Sequence, residues 1–194
     1  SLLYRASLTY SGSQQGPESV IVKLPTDNET QRAIADGFLF YPREVRFYRE
    51  VAPRSELRVA QAYAAMIAED SSDFVIVMEE MDPSGAVDQR DGATWEQALQ
   101  SVDAMARFHA GWHASPELAD LADTFLPLDA ELYKVVLPGV FDGGWPAAKE
   151  HAGDLLSEDI LGFGDRWSTL MVGFMEHLNT PTTFLHGDWR LDNV

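Results

Sequence analysis

The residues best suited to chemistry stand in the last segment of the chain, from His186 onward. Asp188 and Asn193 lie five positions apart in the pattern H-x-D-x-x-x-x-N, directly after the apolar stretch 182–185. A carboxylate can accept the proton of an attacking hydroxyl, and a side-chain amide in the same loop can bind a metal ion. This pattern is typical of loops that transfer a phosphoryl group from a metal-bound triphosphate.

The other motif residues, His186 and Gly187, have supporting roles in this interpretation. We expect His186 to shape the loop by hydrogen bonding and Gly187 to adopt a backbone conformation that bulkier residues resist. Asp188 is then the catalytic base, and Asn193 is a ligand of Mg²⁺, a hard cation that prefers oxygen. The alternative is a Gly-Asp turn between two elements, in which Asn193 is an ordinary loop residue.

Lys23 is one of three lysines in the sequence and lies within an apolar strand. A half-buried ammonium needs a partner, although a lysine on an edge strand can also extend to solvent. In the functional interpretation Lys23 holds the α- and β-phosphates of a nucleotide. We expect its partner to be Glu44, with Glu50 as second choice. Glu44 could instead compensate its helix dipole or pair with a neighbouring arginine.

The predicted strand 74–78 runs directly into Glu79, Glu80 and Met81. An adenine ring needs an apolar slot and a backbone donor and acceptor at its edge, and a strand that leads into a linker can provide both. We therefore assign Glu79, Glu80 and Met81 to nucleotide binding. On its own the signal is weak, because many strands end in acidic residues.

The elements that must position these residues follow from periodicity and turn signals. Strands are predicted at 4–10, at 19–24, within 57–68 and at 74–78, and the first two form an antiparallel hairpin. Helices are predicted at 28–36 and 42–52. A linker follows the last of these strands, and a helix with a Thr94–Gln97 capping box begins after it.

The second half of the chain is predicted to be mainly helical. Residues 116–146 contain Pro-Gly and Gly-Gly pairs and are expected to be irregular. A final long helix is predicted at 160–178. In the helix that begins at Thr94, the predicted buried side comprises Trp95, Leu99, Val102, Ala106, His109 and Trp112. In the helix 160–178 it comprises Ile160, Phe163, Trp167, Leu170, Phe174 and Leu178.

Composition restricts the class of protein. The net charge of −17 argues against a nucleic-acid surface, and the absence of cysteine excludes disulfides and thiol chemistry. The sequence has no apolar run of the roughly 18 residues that span a bilayer. We expect a cytoplasmic protein without a membrane or nucleic-acid partner.

The order of these features along the chain resembles the aminoglycoside phosphotransferase and choline kinase-like family. The features are Lys23, Glu44 on a helix, the strand-to-linker segment, and the loop with Asp188 and Asn193. The phrase at 106–112 looks like that family's Leu-His-Ala helix. Glu44 followed by Phe-Tyr at 47–48 is similar to the ecdysteroid kinase-like and acyl-CoA-dehydrogenase-linked branches. The resemblance covers nearly the whole chain, and the loop around Asp188 is its most specific part.

The resemblance implies an α+β, bilobal protein-kinase-like fold. An N-terminal lobe at 1–80 would carry an antiparallel sheet and a helix, a hinge would follow at 81–93, and a partial helical lobe would occupy 94–194. It also implies ATP, Mg²⁺ and a small-molecule hydroxyl acceptor, with Phe141 and Trp145 as candidates to line the acceptor site.

The sequence departs from the family pattern at both ends. The family has a strand and phosphate-covering loop before the first strand seen here, and a second metal-binding Asp after the catalytic loop. We therefore expect a fragment that does not transfer phosphate by itself. Two alternatives stay open: a pseudokinase-like nucleotide-binding domain, and a metal hydrolase that uses His186 and Asp188 as ligands.

Overall fold

The computed structural model describes residues 1–13, 16–69, 72–82, 87–178 and 181–193. Their contacts form two compact units. The first combines Ser1–Trp112 with Phe184–Val194, and the second comprises His113–Thr183. No helix among the described residues is long and apolar enough to cross a membrane.

A four-stranded antiparallel sheet forms the base of the first unit. Its strands are β1 (Leu2–Ser7), β2 (Ser19–Leu24), β3 (Ala62–Ile67) and β4 (Phe74–Glu79), in the spatial order β1-β2-β4-β3. In β4 every second residue is buried, and these residues are Phe74, Ile76 and Met78. The alternation places one face of the strand in the core and the other toward solvent.

The first strand differs from its prediction. The hairpin is confirmed, but β1 lies two to three residues earlier than the predicted 4–10, and Leu8 and Tyr10 are exposed. β1 is an edge strand that pairs only with β2, from Leu2–Leu24 to Ser7–Ser19. Pairing with β2, and not the alternation of polar and apolar residues at 4–10, therefore fixes the extent of β1.

Two helices pack against the sheet. α1 (Glu29–Gly37) is capped by the Asn28 side chain, which accepts a hydrogen bond from the Gln31 amide. α2 (Phe40–Arg46) continues through a π-helical turn at Phe47–Val51 and a 3₁₀ turn at Ala52–Arg54. The core of the unit joins these helices to β4 and comprises Ala35, Tyr41, Val45, Phe74, Ile76 and Met78. α2 is thus fixed by burial of its apolar side against β4.

The long helix of the first unit is α3 (Trp95–Trp112). Its capping box is confirmed: the Thr94 hydroxyl accepts from the Gln97 amide, and the Gln97 side chain accepts from the Thr94 amide. Burial of Trp112 is confirmed, but most of the predicted buried side is wrong, because Trp95, Leu99 and Val102 are at least half exposed. Before Trp112 the side that packs is offset by one position from the predicted one and comprises Ala98, Ser101, Met105 and Phe108.

The second unit consists of the short helix α4 (Leu118–Leu121) and the long helices α5 (Glu131–Ala152) and α6 (Glu158–His177). The predicted irregular segment 116–146 is wrong from residue 131 onward, because α5 continues through Pro138 and Pro146. Packing against α6 outweighs the low helix propensity of these prolines. α6 also turns a different side inward, where Gly164, Met171 and Met175 are buried, while the predicted stripe is exposed except for the partly buried Trp167.

The sheet with its helices and the mostly helical remainder confirm the predicted α+β class. The hinge at 81–93 stays a prediction, and its residues 83–86 lie outside the described part of the chain.

Candidate active site

The structure pairs Lys23 of β2 with Glu44 of α2. The Lys23 ammonium donates a hydrogen bond to Glu44 Oε1, and the two side chains are 23% and 27% exposed. Val45, next to Glu44, is almost fully buried, so core packing fixes the side of α2 that carries the carboxylate. The second-choice partner, Glu50, pairs with Arg46 on its own helix at 3.1 Å.

Tyr48 lies one turn after Glu44 and forms one wall of the site beside the ion pair. Its hydroxyl lies 3.7 Å from Met78 Sδ at the end of β4. Burial raises the pKa of the Tyr48 phenol, and the nearby Glu44 charge adds to the shift. Tyr48 is therefore a neutral, partly buried wall beside the ion pair.

Glu79 and Glu80, at the end of β4, are held by arginines from neighbouring segments. Arg58 contacts Glu79 at 2.7 Å, and the Gln61 amide donates to the same carboxylate at 3.1 Å. Arg5 of β1 contacts Glu80 at 2.6 Å. These hydrogen bonds hold the pKa of each carboxyl below its ordinary value of 4.5. The two carboxylates thus fix the end of the strand through their contacts with Arg58, Gln61 and Arg5.

Sequence reasoning missed the side chains that fix this strand end. They are Arg5, Arg58 and Ser19, whose hydroxyl donates to Glu80. Arg5 and Glu80 are 75 positions apart, and no spacing rule joins them. An excess of acidic residues at a strand end was the available signal, since adjacent carboxylates need cationic partners.

The loop with Asp188 is organised by local contacts. Gly187 has φ +81°, in the left-handed region that favours glycine. The Asp188 amide donates to His186 Nδ1 at 3.3 Å. Asn193 Nδ2 donates to the Asp188 carbonyl at 3.0 Å and to its carboxylate at 2.9 Å. Arg190 Nε lies 3.4 Å from the same carboxylate.

The roles of Asp188 as base and Asn193 as metal ligand stay predictions. Asp188 is exposed, so a substrate hydroxyl can approach its carboxylate. The amide nitrogen of Asn193 is turned toward Asp188, which leaves its oxygen as the donor for a metal ion. Among the described residues, no group of three or more His, Asp or Glu side chains could hold a metal ion. A site for Mg²⁺ here would therefore combine Asn193 with oxygens of the nucleotide.

The first unit therefore contains two organised sets of predicted residues. Lys23 is joined to Glu44, and Asp188 is joined to Asn193. In the described residues no hydrogen bond or ion pair joins one set directly to the other. The acceptor candidates lie in the second unit, where Trp145 stacks on Phe141 at 5.5 Å and donates to Asp165 at 2.8 Å.

Comparison with protein families matches residues 1–125 to the Ecdysteroid kinase-like family. The match includes Lys23, Glu44, the end of β4 and all of α3, while the loop with Asp188 lies beyond it. No curated protein and no solved structure matches the chain. Because the match spans more than half of the sequence, the chain belongs to the ecdysteroid kinase-like family, a branch of the protein-kinase-like superfamily.

Proposed function

We propose that the protein is an ATP-dependent phosphotransferase that moves the γ-phosphoryl group to a hydroxyl of a small molecule. Family membership supports a kinase-like transferase in general. The observation that carries the finer proposal is the ion pair of Lys23 and Glu44 in the same unit as the Asp188–Asn193 loop. These are the residue types that hold a triphosphate and activate an acceptor.

Lys23 and Glu44 serve the nucleotide in this proposal. Glu44 holds the ammonium in place, and Lys23 neutralises charge on the α- and β-phosphates. The backbone at the end of β4, steadied through Glu79 and Glu80, contacts the adenine edge, and Met81 covers the ring. The protein carries a net charge of −17, so Lys23 provides local positive charge against an unfavourable background.

Asp188 and Asn193 serve the transfer step. The Asp188 carboxylate orients the acceptor hydroxyl and takes its proton as the oxygen attacks the γ-phosphorus; the bond to the β-γ bridging oxygen breaks, and ADP leaves. Asn193 would hold Mg²⁺, which when bound neutralises charge on the phosphates. The acidic protein favours a neutral or cationic acceptor over an anionic one.

Asp188→Asn in the full-length protein tests the proposal. We expect turnover to fall about 10²- to 10⁴-fold, the usual contribution of a general base, while ATP affinity stays within about twofold. Asp159→Asn on the exposed start of α6 is the matched control and should leave both unchanged. The readouts are ADP release during a screen of hydroxylated small molecules and ATP binding by calorimetry.

Two results would contradict the proposal. Undiminished turnover in Asp188→Asn would remove this residue from the base role. ATP binding without transfer to any acceptor would instead indicate a nucleotide-binding domain.

A further inference from the structure

One hydrogen bond connects the loop of Asp188 to the long helix α3. Trp189, the residue after Asp188, donates its indole N–H to Ser101 Oγ at 2.8 Å. The two residues are 88 positions apart, and both side chains are partly buried. Ser101 lies on the packed side of α3, two turns before Phe108. The contact therefore ties the loop to the longest helix described in the unit.

The geometry of the loop transmits this contact to Asp188. The ring of His186 meets the ring of Trp189 edge-on, with centroids 5.3 Å apart. His186 Nδ1 in turn accepts the Asp188 amide proton. Asp188 thus lies between two side chains that pack on each other. Trp189 therefore contacts both Ser101 and the ring that accepts the Asp188 amide proton.

The loop's remaining hydrogen bonds described above are internal and cannot fix it relative to α3. They run from Asn193 to Asp188 and from the Asp188 amide to His186. Phe184, before the loop, packs on α3 through Phe108 at 5.8 Å and Trp112 at 5.6 Å. This packing holds the entry to the loop, and the bond to Ser101 holds its centre.

We propose that Ser101 is a positioning residue that sets the place of the Asp188 carboxylate through Trp189. Ser101 has no contact with reacting groups in this account, which rests on the proposed phosphotransferase function. Its effect arises because a displacement of about 1 Å in a reacting group can lower a rate about a hundredfold.

Hydrogen exchange of the backbone amides of 186–193 tests the anchoring without any ligand. Ser101→Ala and Trp189→Phe each remove the hydrogen bond, and the Phe variant keeps an aromatic ring. We expect each to raise exchange in this segment about fivefold, the equivalent of one hydrogen bond. The double variant should exchange no faster than either single variant, and Ser101→Thr should restore protection because it retains the hydroxyl.

Thr169→Ala is the matched control for the loss of a hydroxyl. Thr169 donates only a local hydrogen bond to the Arg166 carbonyl in α6, so its removal should leave the loop unchanged. Unaltered exchange in Ser101→Ala, or additive effects in the double variant, would overturn the proposal.

Steady-state kinetics distinguish positioning from simple support of the fold. In Ser101→Ala we expect kcat to fall about 10- to 100-fold while the KM for ATP stays within about twofold, with recovery in Ser101→Thr. A loosened loop with unchanged kcat would overturn the positioning role. Absence of turnover in the unaltered full-length protein would overturn the proposed function, while the exchange pattern would still decide the anchoring.

Discussion

A double-mutant cycle on Lys23 and Glu44 measures how strongly β2 and α2 are joined at the site. The variants are Lys23→Met, Glu44→Gln and the pair together, since these side chains keep similar length without charge. The two residues are 23% and 27% exposed, so roughly three quarters of each side chain is removed from water.

The structure places the expected coupling between two limits. Exposed ion pairs contribute about 0.2–1 kcal/mol, whereas removal of one partner from a buried pair costs about 3–5 kcal/mol. For a partly buried pair we expect a coupling energy of about 1–2 kcal/mol. The control pair is Asp103 and Arg107 on α3, which are 60% and 64% exposed and should couple by less than about 0.5 kcal/mol.

Urea unfolding followed by circular dichroism gives the free energy of unfolding for each variant. The difference between the double variant and the sum of the single variants is the coupling energy. A value for Lys23 and Glu44 no larger than that of the control pair would refute the reasoning. It would mean that the ion pair does not join β2 to α2 more strongly than an exposed ion pair would.

Two further predictions concern stability. Gly164→Ala should lower the free energy of unfolding by about 1–3 kcal/mol, because the new Cβ would lie 2.2 Å from Cζ2 of Trp145. Gly162→Ala on the same helix meets open space and should raise the free energy of unfolding by about 0.5–1 kcal/mol. Urea titrations decide both, and equal effects at the two glycines would contradict the packing described for α5 and α6. The carboxyls of Glu79 and Glu80 have folded pKa values below their ordinary 4.5, so their contribution to stability is present above that pH and lost as pH falls through the lower folded values. The melting temperature should therefore fall less steeply below about pH 4.5 in the Glu79→Gln, Glu80→Gln double variant than in the unaltered protein, and identical pH profiles would disprove the assignment.

Features that depend only on neighbouring residues could be predicted from the sequence. The capping box at Thr94 and the first hairpin both depend on residues close together in the chain. The turn at Gly187 also follows from local conformational preference. In each case the nearby residues already contain the physical cause of the structure.

The packed sides of the long helices could not be predicted from local sequence in the same way. α3 and α6 carry apolar residues around much of their circumference, so periodicity offers two candidate stripes one position apart. The choice between them depends on distant partners. On α3 the buried side is the one that meets Phe184 and Trp189, and on α6 small Gly164 admits the ring of Trp145.

The same distinction applies to the candidate site. Residue types and their order along the chain were enough to select Lys23, Glu44, Asp188 and Asn193. Other groups near the candidate site act through tertiary contacts: Arg5 bonds to Glu80, and Ser101 bonds to Trp189 beside Asp188, each across many positions of sequence. No local pattern contains that information.

Calorimetric titration with ATP and Mg²⁺ tests the central claim, that Lys23 and its partner form a nucleotide site, most directly. We predict binding of one ATP per chain, weakened at least about tenfold in Lys23→Ala, since a charge-assisted contact contributes about 1.5–3 kcal/mol. Lys134→Ala, which removes a lysine paired within the second unit, should leave the affinity unchanged. Absence of ATP binding, or equal affinity in Lys23→Ala and the unaltered protein, would contradict the account.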